Sequence, residues 1–226
     1  MAGTPRAVAR EQMNAAILDI GRKQLAEVGP AALSLRAVAR EIGVASSAVY
    51  RYVESRDELL TRLIVAGYNA LGDAVEAAEG SRRRTDLRGR WRTACSALRA
   101  WAKQNPHEWA LIYGSPVPGY AAPEETIEPA ARVAVVLLKI IADAGGESAE
   151  QSSEVRPVAL RKQLEAMAEL MESAVTPGQM AAATEAWTTL IGTISMELFG
   201  HYVGTVDPTD DYFTWQVDRL AVRLGI

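Results

Sequence analysis

The sequence predicts an all-α protein, and three observations support this fold class. Apolar residues recur at three- and four-residue spacing along almost the whole chain, which is the spacing of one helix face. No segment alternates apolar and polar residues in the manner of a strand. Glycine and proline separate periodic segments, as at Gly29-Pro30. We therefore expect an N-terminal three-helix domain over residues 1–56 and a larger helical domain over residues 57–226.

Three helices are predicted in the N-terminal domain. The first runs from about Arg10 to Val28 and ends at Gly29-Pro30. Ser34 is expected to cap the second helix, because its hydroxyl can accept a hydrogen bond from a backbone N–H of the next turn. The apolar stripe of this second helix consists of Leu35, Val38, Ala39 and Ile42.

A third, short helix follows after a sharp turn at a glycine. Val49 and Val53 lie on its inward side, whereas Ser47, Tyr50 and Arg51 point roughly the opposite way. The outward face of the third helix is therefore polar and aromatic.

The larger domain begins with a long helix to about Glu79, which a capping box of Ser55 and Glu58 opens. Residues 114–129 contain four prolines and are expected to be largely loop, and the polar residues 145–157 are expected to be mobile. The other helices of this domain are predicted over Thr85–Gln104, Glu124–Ala144, Val158–Ser173, Pro177–Val203 and Thr209–Leu224. The last two start at further capping signals, Thr176 with Gln179 and Asp207-Pro208.

Composition narrows the class of protein. The 226 residues can bury a substantial core. Although 49% of the residues are hydrophobic, no apolar run reaches the roughly 20 residues of a membrane span. The first residues lack the apolar stretch of a signal peptide, and Cys95 is the only cysteine. These features predict a cytoplasmic protein with no membrane association.

Charge is distributed unevenly along the chain. The sequence holds 24 basic and 28 acidic residues, which argues against nucleic acid covering the whole surface. Residues 1–62, however, contain nine of the basic residues and only seven of the acidic ones. The N-terminal domain is thus mildly basic and the remainder of the chain is acidic.

Two short helices joined by a glycine turn, the second with a polar face, are typical of a helix-turn-helix whose second helix enters the DNA major groove. The segment Leu33–Leu60 resembles the TetR family of bacterial repressors. The residues that carry this resemblance are, in order, Ser34, Val38-Ala39, Gly43-Val44, Tyr50, Tyr52 and Arg56–Leu59. The resemblance covers residues 10–62 and implies a headpiece that binds operator DNA, followed by a helical domain that dimerises and binds an effector.

Three positions depart from the family pattern. Ala45 stands where members usually have a Ser or Thr that caps the recognition helix, and Ser46 is an alternative cap. Val53 replaces a usual Phe, and Ser47 occupies a position often held by Gly or Ala. We therefore expect this helix to pack and dock somewhat differently from that of other members.

The resemblance and the predicted helix faces together assign DNA contacts. Tyr50, Tyr52 and Arg56 are expected to contact phosphate oxygens. Ser46, Ser47 and Arg51 are expected to read base edges, Arg51 through a bidentate contact with guanine. Ser34 and Arg36 are expected to lie over the DNA backbone at the start of the second helix. The alternative for each of these residues is an ordinary core or solvated position.

Two other basic segments have less specific interpretations. Arg6 and Arg10 are expected either to reach an adjacent minor groove as a flexible arm or to belong to a disordered tail. The densest basic run lies at a junction between two predicted helices, with no paired recognition helix, so we interpret it as a solvated or bridging charge cluster. It consists of Arg82, Arg83, Arg84, Arg88, Arg90 and Arg92.

Aromatic and methionine side chains in the larger domain supply adaptable apolar surface, as ligand pockets between helices do. The predicted ligand-binding residues are Trp101, Trp109, Tyr113, Met167, Met171 and Trp187. The alternative is that they are ordinary core residues. Residues 186–202 also resemble the WHG-like C-terminal domain of actinobacterial family members, although Ile191 stands where those members usually have His. The expected partners are therefore operator DNA and a small apolar effector.

The last two helices are expected to form a homodimer interface, because each is apolar on more than one face. Leu190 and Met196 lie off the main stripe of the first, and Trp215 and Val222 lie opposite the main stripe of the second. One domain cannot easily bury all of these faces, whereas two helices from each of two subunits would bury them in a four-helix interface.

The sequence predicts no catalytic residue, no metal site and no cofactor. Neither His107 nor His201 has metal-ligand spacing, and no Gly-rich phosphate loop or Gly-x-Ser-x-Gly motif occurs. His107 is expected in a loop or at a helix cap. Two alternatives to a ligand-released repressor stay open: a dimeric DNA-binding regulator without an effector, and an all-α ligand-binding protein.

Overall fold

The computed structural model describes residues 4–145, 155 and 157–226. Within these ranges the chain is helical and contains no strand, which confirms the all-α prediction. The predicted mobility of residues 145–157 falls largely outside the described residues. The helices are α1 (Pro5–Val28), α2 (Leu35–Ile42), α3 (Ser46–Val49), α4 (Arg56–Gly80), α5 (Leu87–Gln104), α6 (Pro106–Tyr113), α7 (Ile127–Ala144), α8 (Val158–Leu170), α9 (Pro177–Leu198) and α10 (Thr209–Arg223).

Helix α1 begins five residues earlier than predicted. Thr4 is the N-cap, its hydroxyl accepts a hydrogen bond from the backbone N–H of Ala7 at 3.4 Å, and Pro5 occupies the first turn. Proline suits that position because its fixed φ is helical and because a backbone N–H there would have no partner within the helix. Arg6 and Arg10 are therefore exposed residues of a helix, so the predicted flexible arm and disordered tail are both wrong for these two residues.

The C-terminal helices differ from the prediction at their ends. Thr176 and Gln179 form the predicted capping box, with both reciprocal hydrogen bonds present. Helix α9 ends at Leu198 rather than at Val203, and Gly200 follows with a positive φ of 79°, a conformation that glycine adopts at little cost. The capped start at Asp207 is wrong, because Pro208 is the N-cap of α10 and no side chain caps that helix.

Helix α6 was not predicted. Pro106 occupies its first turn and His107 the next position, so the expectation of a loop or cap at His107 is wrong. In the sequence, Asn105-Pro106 resembles a pair that ends a helix. Proline is also favourable in the first turn of a helix, however, and Pro106 occupies that position. The helix is short and its residues are mostly apolar, with Trp109 and Leu111 buried.

The chain divides into two compact units that alternate along the sequence. The first comprises the residues up to Tyr68 together with Asn105–Ile127, and the second comprises Asn69–Gln104 together with Glu128–Ile226. Helix α4 therefore contributes its N-terminal half to the first unit and its C-terminal half to the second. The predicted boundary after residue 56 separates functions, whereas this division separates compact units. The predicted boundary therefore stays a prediction.

The first unit has a continuous apolar core. Residues of α1 to α4 form most of it, and α6 and the following loop add Leu111 and Val117. Thr61 of α4 donates to the Asp57 carbonyl and is hydrogen-bonded to the Tyr120 hydroxyl at 2.8 Å. The segment after α5 is thus an integral part of the unit that contains the helix-turn-helix.

The second unit combines an apolar core with enclosed ionic contacts. Trp91 of α5 is fully buried, and its indole N–H donates to the Val217 carbonyl of α10 at 2.9 Å. Arg99 of α5 donates two hydrogen bonds of 2.6 Å to Glu197 of α9 and lies 4.9 Å from the centre of the Phe213 ring. The bonds from Arg99 lower the pKa of Glu197 from its ordinary value, so the pair is ionised at neutral pH.

No helix in the described part of the chain is long and apolar enough to span a bilayer.

Candidate DNA-binding surface and effector cavity

Helix α2 is held at both ends by local hydrogen bonds. The Ser34 hydroxyl accepts from the backbone N–H of Ala37 at 3.4 Å, as predicted for a cap, and the Ser34 N–H donates to the buried Gln24 side chain at 3.1 Å. Gly43 ends the helix with φ of 81° in the left-handed region. Only glycine adopts this conformation freely, so Gly43 fixes the turn between α2 and α3.

Helix α3 is a single turn that continues as tighter turns. The N–H of Arg51 donates to the Ala48 carbonyl at 3.3 Å, and that of Tyr52 donates to the Val49 carbonyl at 2.8 Å, both three residues back. Ala45 is the N-cap and makes no side-chain cap bond, while Ser46 is already helical. The alternative that Ser46 caps this helix is therefore wrong.

The two faces of α3 lie as the sequence predicted. Val49 and Val53 are fully buried, whereas Ser47, Tyr50 and Arg51 are exposed. Tyr50 has 45% of its surface accessible, which is high for an aromatic residue that could otherwise pack inward. The structure thus brings the candidate base-reading and phosphate-binding side chains together on one face.

The remaining predicted DNA contacts are placed less uniformly. Arg36 is exposed, Ser34 and Ser46 are half-buried, and Tyr52 packs partly against the core of the first unit. Arg56 donates to the Pro30 carbonyl at 2.9 Å and pairs with Asp57 at 3.1 Å. Arg56 therefore joins the start of α4 to the turn before α2, so contact with a phosphate requires its guanidinium to change partners.

The dense basic run between α4 and α5 is largely paired within the second unit. Arg90 is buried and donates to Glu79 at 2.5 Å and to Asp143 at 2.7 Å. Arg84 also bonds Asp143, and Arg92 forms two bonds with Asp218. These pairs support the interpretation of the run as a bridging charge cluster.

An apolar cavity of about 150 Å³ lies in the second unit. Helix α7, helix α8 with its C-cap, and helix α9 form its walls. Apart from the indole of Trp187, Thr184 is the one lining residue with a polar side chain in the described part of the chain, and its hydroxyl already donates to the Met180 carbonyl at 2.8 Å. The lining residues are Ala134, Leu137, Leu138, Met167, Met171, Met180, Ala183, Thr184 and Trp187.

Three of the six predicted ligand-binding residues, Met167, Met171 and Trp187, line this cavity. Trp101 is buried in α5, outside the lining. Trp109 and Tyr113 belong to the first unit, where their rings lie 4.5 Å apart between centroids. The sequence analysis did not assign the lining residues of α7, because alanine and leucine on a helix face are equally typical of a filled core.

Apolar side chains on α9 and α10, and just after α9, remain exposed. Their exposed fractions range from 42% for Met196 to 84% for Val203. Trp215 is 51% exposed and stacks on Tyr212, with the Arg219 guanidinium over its ring at 4.9 Å. The full set is Met196, Phe199, Val203, Trp215 and Val222.

Metal and thiol chemistry find little support in the residues that the structure describes. Within the described ranges, no group of three or more His, Cys, Asp or Glu residues is placed to hold a metal ion. Cys95 is fully buried, and burial raises the pKa of its thiol far above the ordinary value, so the thiol stays protonated and unreactive.

Two family models match the chain. Residues 17–63 match the model of bacterial regulatory proteins of the tetR family, and residues 91–220 match the model of the tetracyclin repressor-like C-terminal domain. The first match contains α2 and α3. The second contains the whole lining of the cavity and most of α9 and α10.

Individual proteins are similar over most of their length. The chain is 42% identical over 200 residues to the HTH-type transcriptional regulator Rv1816 of Mycobacterium tuberculosis, which covers 86% of this chain and 84% of that protein. It is 34% identical to a protein described as regulatory protein SCO4313, with a TM-score of 0.80 and coverage of 96% and 98%. PfmR, a TetR family transcriptional regulator from Thermus thermophilus, shares the fold at 17% identity, with a TM-score of 0.57 and coverage of 90% and 96%.

Proposed function

From the premise that this chain belongs to the TetR family of bacterial transcriptional regulators, we propose that it is a repressor that a small apolar ligand releases from its operator. As a family member, the protein is a DNA-binding transcriptional regulator. The proposal adds that the protein represses transcription and that ligand binding causes it to leave the operator. The observation that carries it is the apolar cavity lined by α7, α8 and α9.

The chemistry of the cavity selects the ligand class. No charged side chain is among the lining residues that the structure describes, and Thr184 offers mainly acceptor capacity because its proton is used within α9. A cavity of about 150 Å³ with apolar walls has room for a molecule the size of benzene, whereas drug-sized ligands occupy roughly 300 Å³ or more. Met167, Met171 and Met180 can change rotamer to enlarge the site. The ligand is therefore uncharged, and either small or admitted by movement of these methionines.

On the DNA side, the proposal assigns two kinds of contact. Tyr50, Tyr52 and Arg56 contact phosphates and position the headpiece, and Ser46, Ser47 and Arg51 read base edges. Ser34 and Arg36 approach the DNA backbone at the start of α2. The exposure of Ser47, Tyr50 and Arg51 on one face supports this assignment.

The proposed active form is a homodimer formed by α9 and α10. Its support is the exposed apolar surface on these helices, including Trp215 and Val222. Light scattering during gel filtration is expected to report about twice the chain mass of 24.4 kDa. Trp215→Glu and Val222→Glu should shift the protein toward monomer, while Lys162→Glu on α8 should not. A wild-type monomer at micromolar concentration would refute this interface.

Release follows from the geometry of a two-fold dimer. Its two recognition helices must lie about one DNA turn apart or a multiple of it, so a change in the direction of α4 breaks the match without unfolding. The ligand must then bind the DNA-incompetent form more tightly, and operator DNA must weaken ligand binding by the same factor. A coupling of roughly 5- to 150-fold is typical.

Trp187 makes this coupling measurable, because it lines the cavity. A panel of neutral aromatic and aliphatic compounds is titrated while indole fluorescence is recorded, with and without saturating operator, and Trp187→Phe serves as the control for the origin of the signal. We expect operator to weaken binding of the active compound. A compound that binds equally well in both titrations would show a cavity without a switch, and no binding at all would favour a dimeric regulator without an effector.

A further inference from the structure

Arg132 of α7 is bound to α4 through its whole guanidinium. Its Nε and Nη2 donate to the two carboxylate oxygens of Glu76 at 2.9 and 2.8 Å, and Nη2 also donates to Asp73 at 2.6 Å. Nη1 donates to the backbone carbonyl and the side-chain oxygen of Asn69 at 3.0 and 3.1 Å. An arginine side chain has five N–H donors, so all of them are directed at one surface of α4.

Helix α4 has a slot for this guanidinium. Gly72 lies beneath it, and a Cβ added at Gly72 would stand 2.8 Å from both Cζ and Nε of Arg132. Real Cβ atoms do not approach other atoms so closely, so any other residue at position 72 would displace the arginine. Glycine inside a helix is destabilising relative to alanine. The contact with Arg132 is therefore obtained at the expense of the intrinsic stability of α4.

The bond to the Asn69 carbonyl connects Arg132 to the backbone of α4. Residue 69 lies in the interior of α4, where backbone carbonyls belong to the helical hydrogen-bond ladder. A carbonyl oxygen has two lone pairs, so Asn69 can accept from Arg132 while it keeps its place in the helix. Arg132 therefore holds the backbone of α4 as well as its side chains.

Helix α7 connects this contact to the cavity. Ala134, Leu137 and Leu138 line the cavity and follow Arg132 within two turns of α7. Near the end of the same helix, Asp143 accepts from Arg90, which also bonds Glu79 of α4. The cavity-lining residues of α7 thus lie between two ionic links to α4.

We propose that Arg132 is a positioning residue for DNA binding, which transmits the state of the cavity from α7 to α4 and so sets the direction of α4. The inference rests on the proposed function, because it requires the cavity to be the effector site. It goes beyond that function by assigning the transmission to one side chain and to the slot at Gly72. A purely structural ion pair, in contrast, would contribute only to the stability of the unit.

The test replaces the unidentified ligand with a protein side chain. Ala183→Phe places a phenyl ring, which has the size of benzene, at the wall of a cavity of about 150 Å³. The affinity for a DNA duplex selected from random sequence with the wild-type protein is measured with and without this substitution. The comparison is repeated in the Arg132→Met and Gly72→Ala backgrounds. Thermal melts accompany each variant, and Ala183→Leu is the milder filling substitution should the larger ring prevent folding.

Both background variants are expected to fold. Methionine keeps the apolar stem of Arg132, and the carboxylates that it would leave unpaired, Asp73 and Glu76, have 72% and 43% of their side-chain surface accessible to water. Gly72→Ala displaces the guanidinium without removing a charge. Arg84→Met is the matched control, since it removes an arginine that pairs with α7 through Asp143 but makes no hydrogen bond to α4.

We expect Ala183→Phe to lower operator affinity by about 5- to 150-fold in the wild-type and Arg84→Met proteins. In the Arg132→Met and Gly72→Ala proteins the loss should shrink to about twofold or less, because effects at coupled sites are not additive, whereas independent sites would show the same loss in every background. Equal losses in all backgrounds would overturn the role of Arg132 and leave the proposed function intact. No loss in the wild-type protein would overturn the proposed function and this inference with it.

Discussion

The arginine on the candidate DNA-facing surface and three arginines near the centre of the second unit lie in contrasting environments. In the first unit, Arg51 is exposed beside Tyr50 in the turns that follow α3, whereas Val49 and Val53 on the opposite side are fully buried. In the second unit, Arg90, Arg99 and Arg132 are largely enclosed, and each pairs with a carboxylate of a helix that lies far away in sequence.

This contrast indicates how each unit serves a regulator. A surface that must match DNA has to keep its shape, and a close-packed apolar core resists deformation. A unit that has to respond to a ligand needs more than one stable arrangement, and directional contacts around a cavity can be exchanged between discrete partners. The first unit is therefore suited to recognition and the second to switching.

The largest effect should come from breaking the core of the first unit. Leu60→Ala removes a fully buried side chain and is expected to lower the free energy of unfolding by about 2–5 kcal/mol, with operator binding lost at temperatures where the wild-type protein still binds. Leu98→Ala is the matched change in the second unit, where the side chain is 1% exposed. Denaturant titrations and DNA binding are measured together. An equal loss of operator affinity in the folded Leu98→Ala protein would remove the proposed division of labour.

A smaller effect should separate reading from positioning on α3. Arg51→Ala is expected to cost about 1–3 kcal/mol on the selected operator and much less on random DNA. Tyr50→Phe removes one hydroxyl and should weaken binding to both DNAs about equally, because a phosphate contact carries no sequence information. Fluorescence anisotropy with the two duplexes measures both variants. Equal losses on the two duplexes for Arg51→Ala would reassign this residue to phosphate contact.

The smallest effect is expected at two equivalent N-caps, one in each unit. Ser34→Ala and Thr176→Ala each remove a hydroxyl that accepts from a helical N–H, and each is expected to cost about 0.5–2 kcal/mol of stability. Only Ser34→Ala should also weaken operator binding, since Ser34 starts the helix that precedes α3. If Thr176→Ala weakens operator binding to the same extent, the caps report general stability rather than a local role.

The helix-turn-helix was predictable because its determinants are local. Ser34, Gly43 and the opposed faces of α3 lie close together in the sequence, and each acts through backbone bonds or helix periodicity that a sequence displays directly. The TetR resemblance depends on the same residues, and the two matched family models confirm it.

The cavity was predictable only in part because its determinants are distant in sequence. Met167, Met171 and Trp187 stand out as large, adaptable side chains. Small lining residues such as Ala134 and Ala183 leave space because their side chains end at Cβ. No sequence pattern distinguishes them from alanines that pack tightly. Trp109 looked equally suitable for a ligand, but α6 was not recognised as a helix, and the tryptophan is buried within the first unit.

The Arg132 contact shows a further reason for such limits. Gly72 is unfavourable within a helix when considered alone, and an arginine on α7 is unremarkable in a sequence. The two residues form a contact only when the two helices lie together, because the guanidinium occupies the space that a side chain at position 72 would fill.

The alternation of the two units along the chain constrains how such a regulator can be recombined. Leu111 and Val117 belong to the core of the first unit but are encoded after the whole of α5. A chimera that joins a foreign sensor after residue 56 would omit them, and the transplanted headpiece would expose part of its core. Exchange of DNA specificity between relatives is therefore easier by substitution on the surface of α3 than by transfer of an N-terminal gene segment.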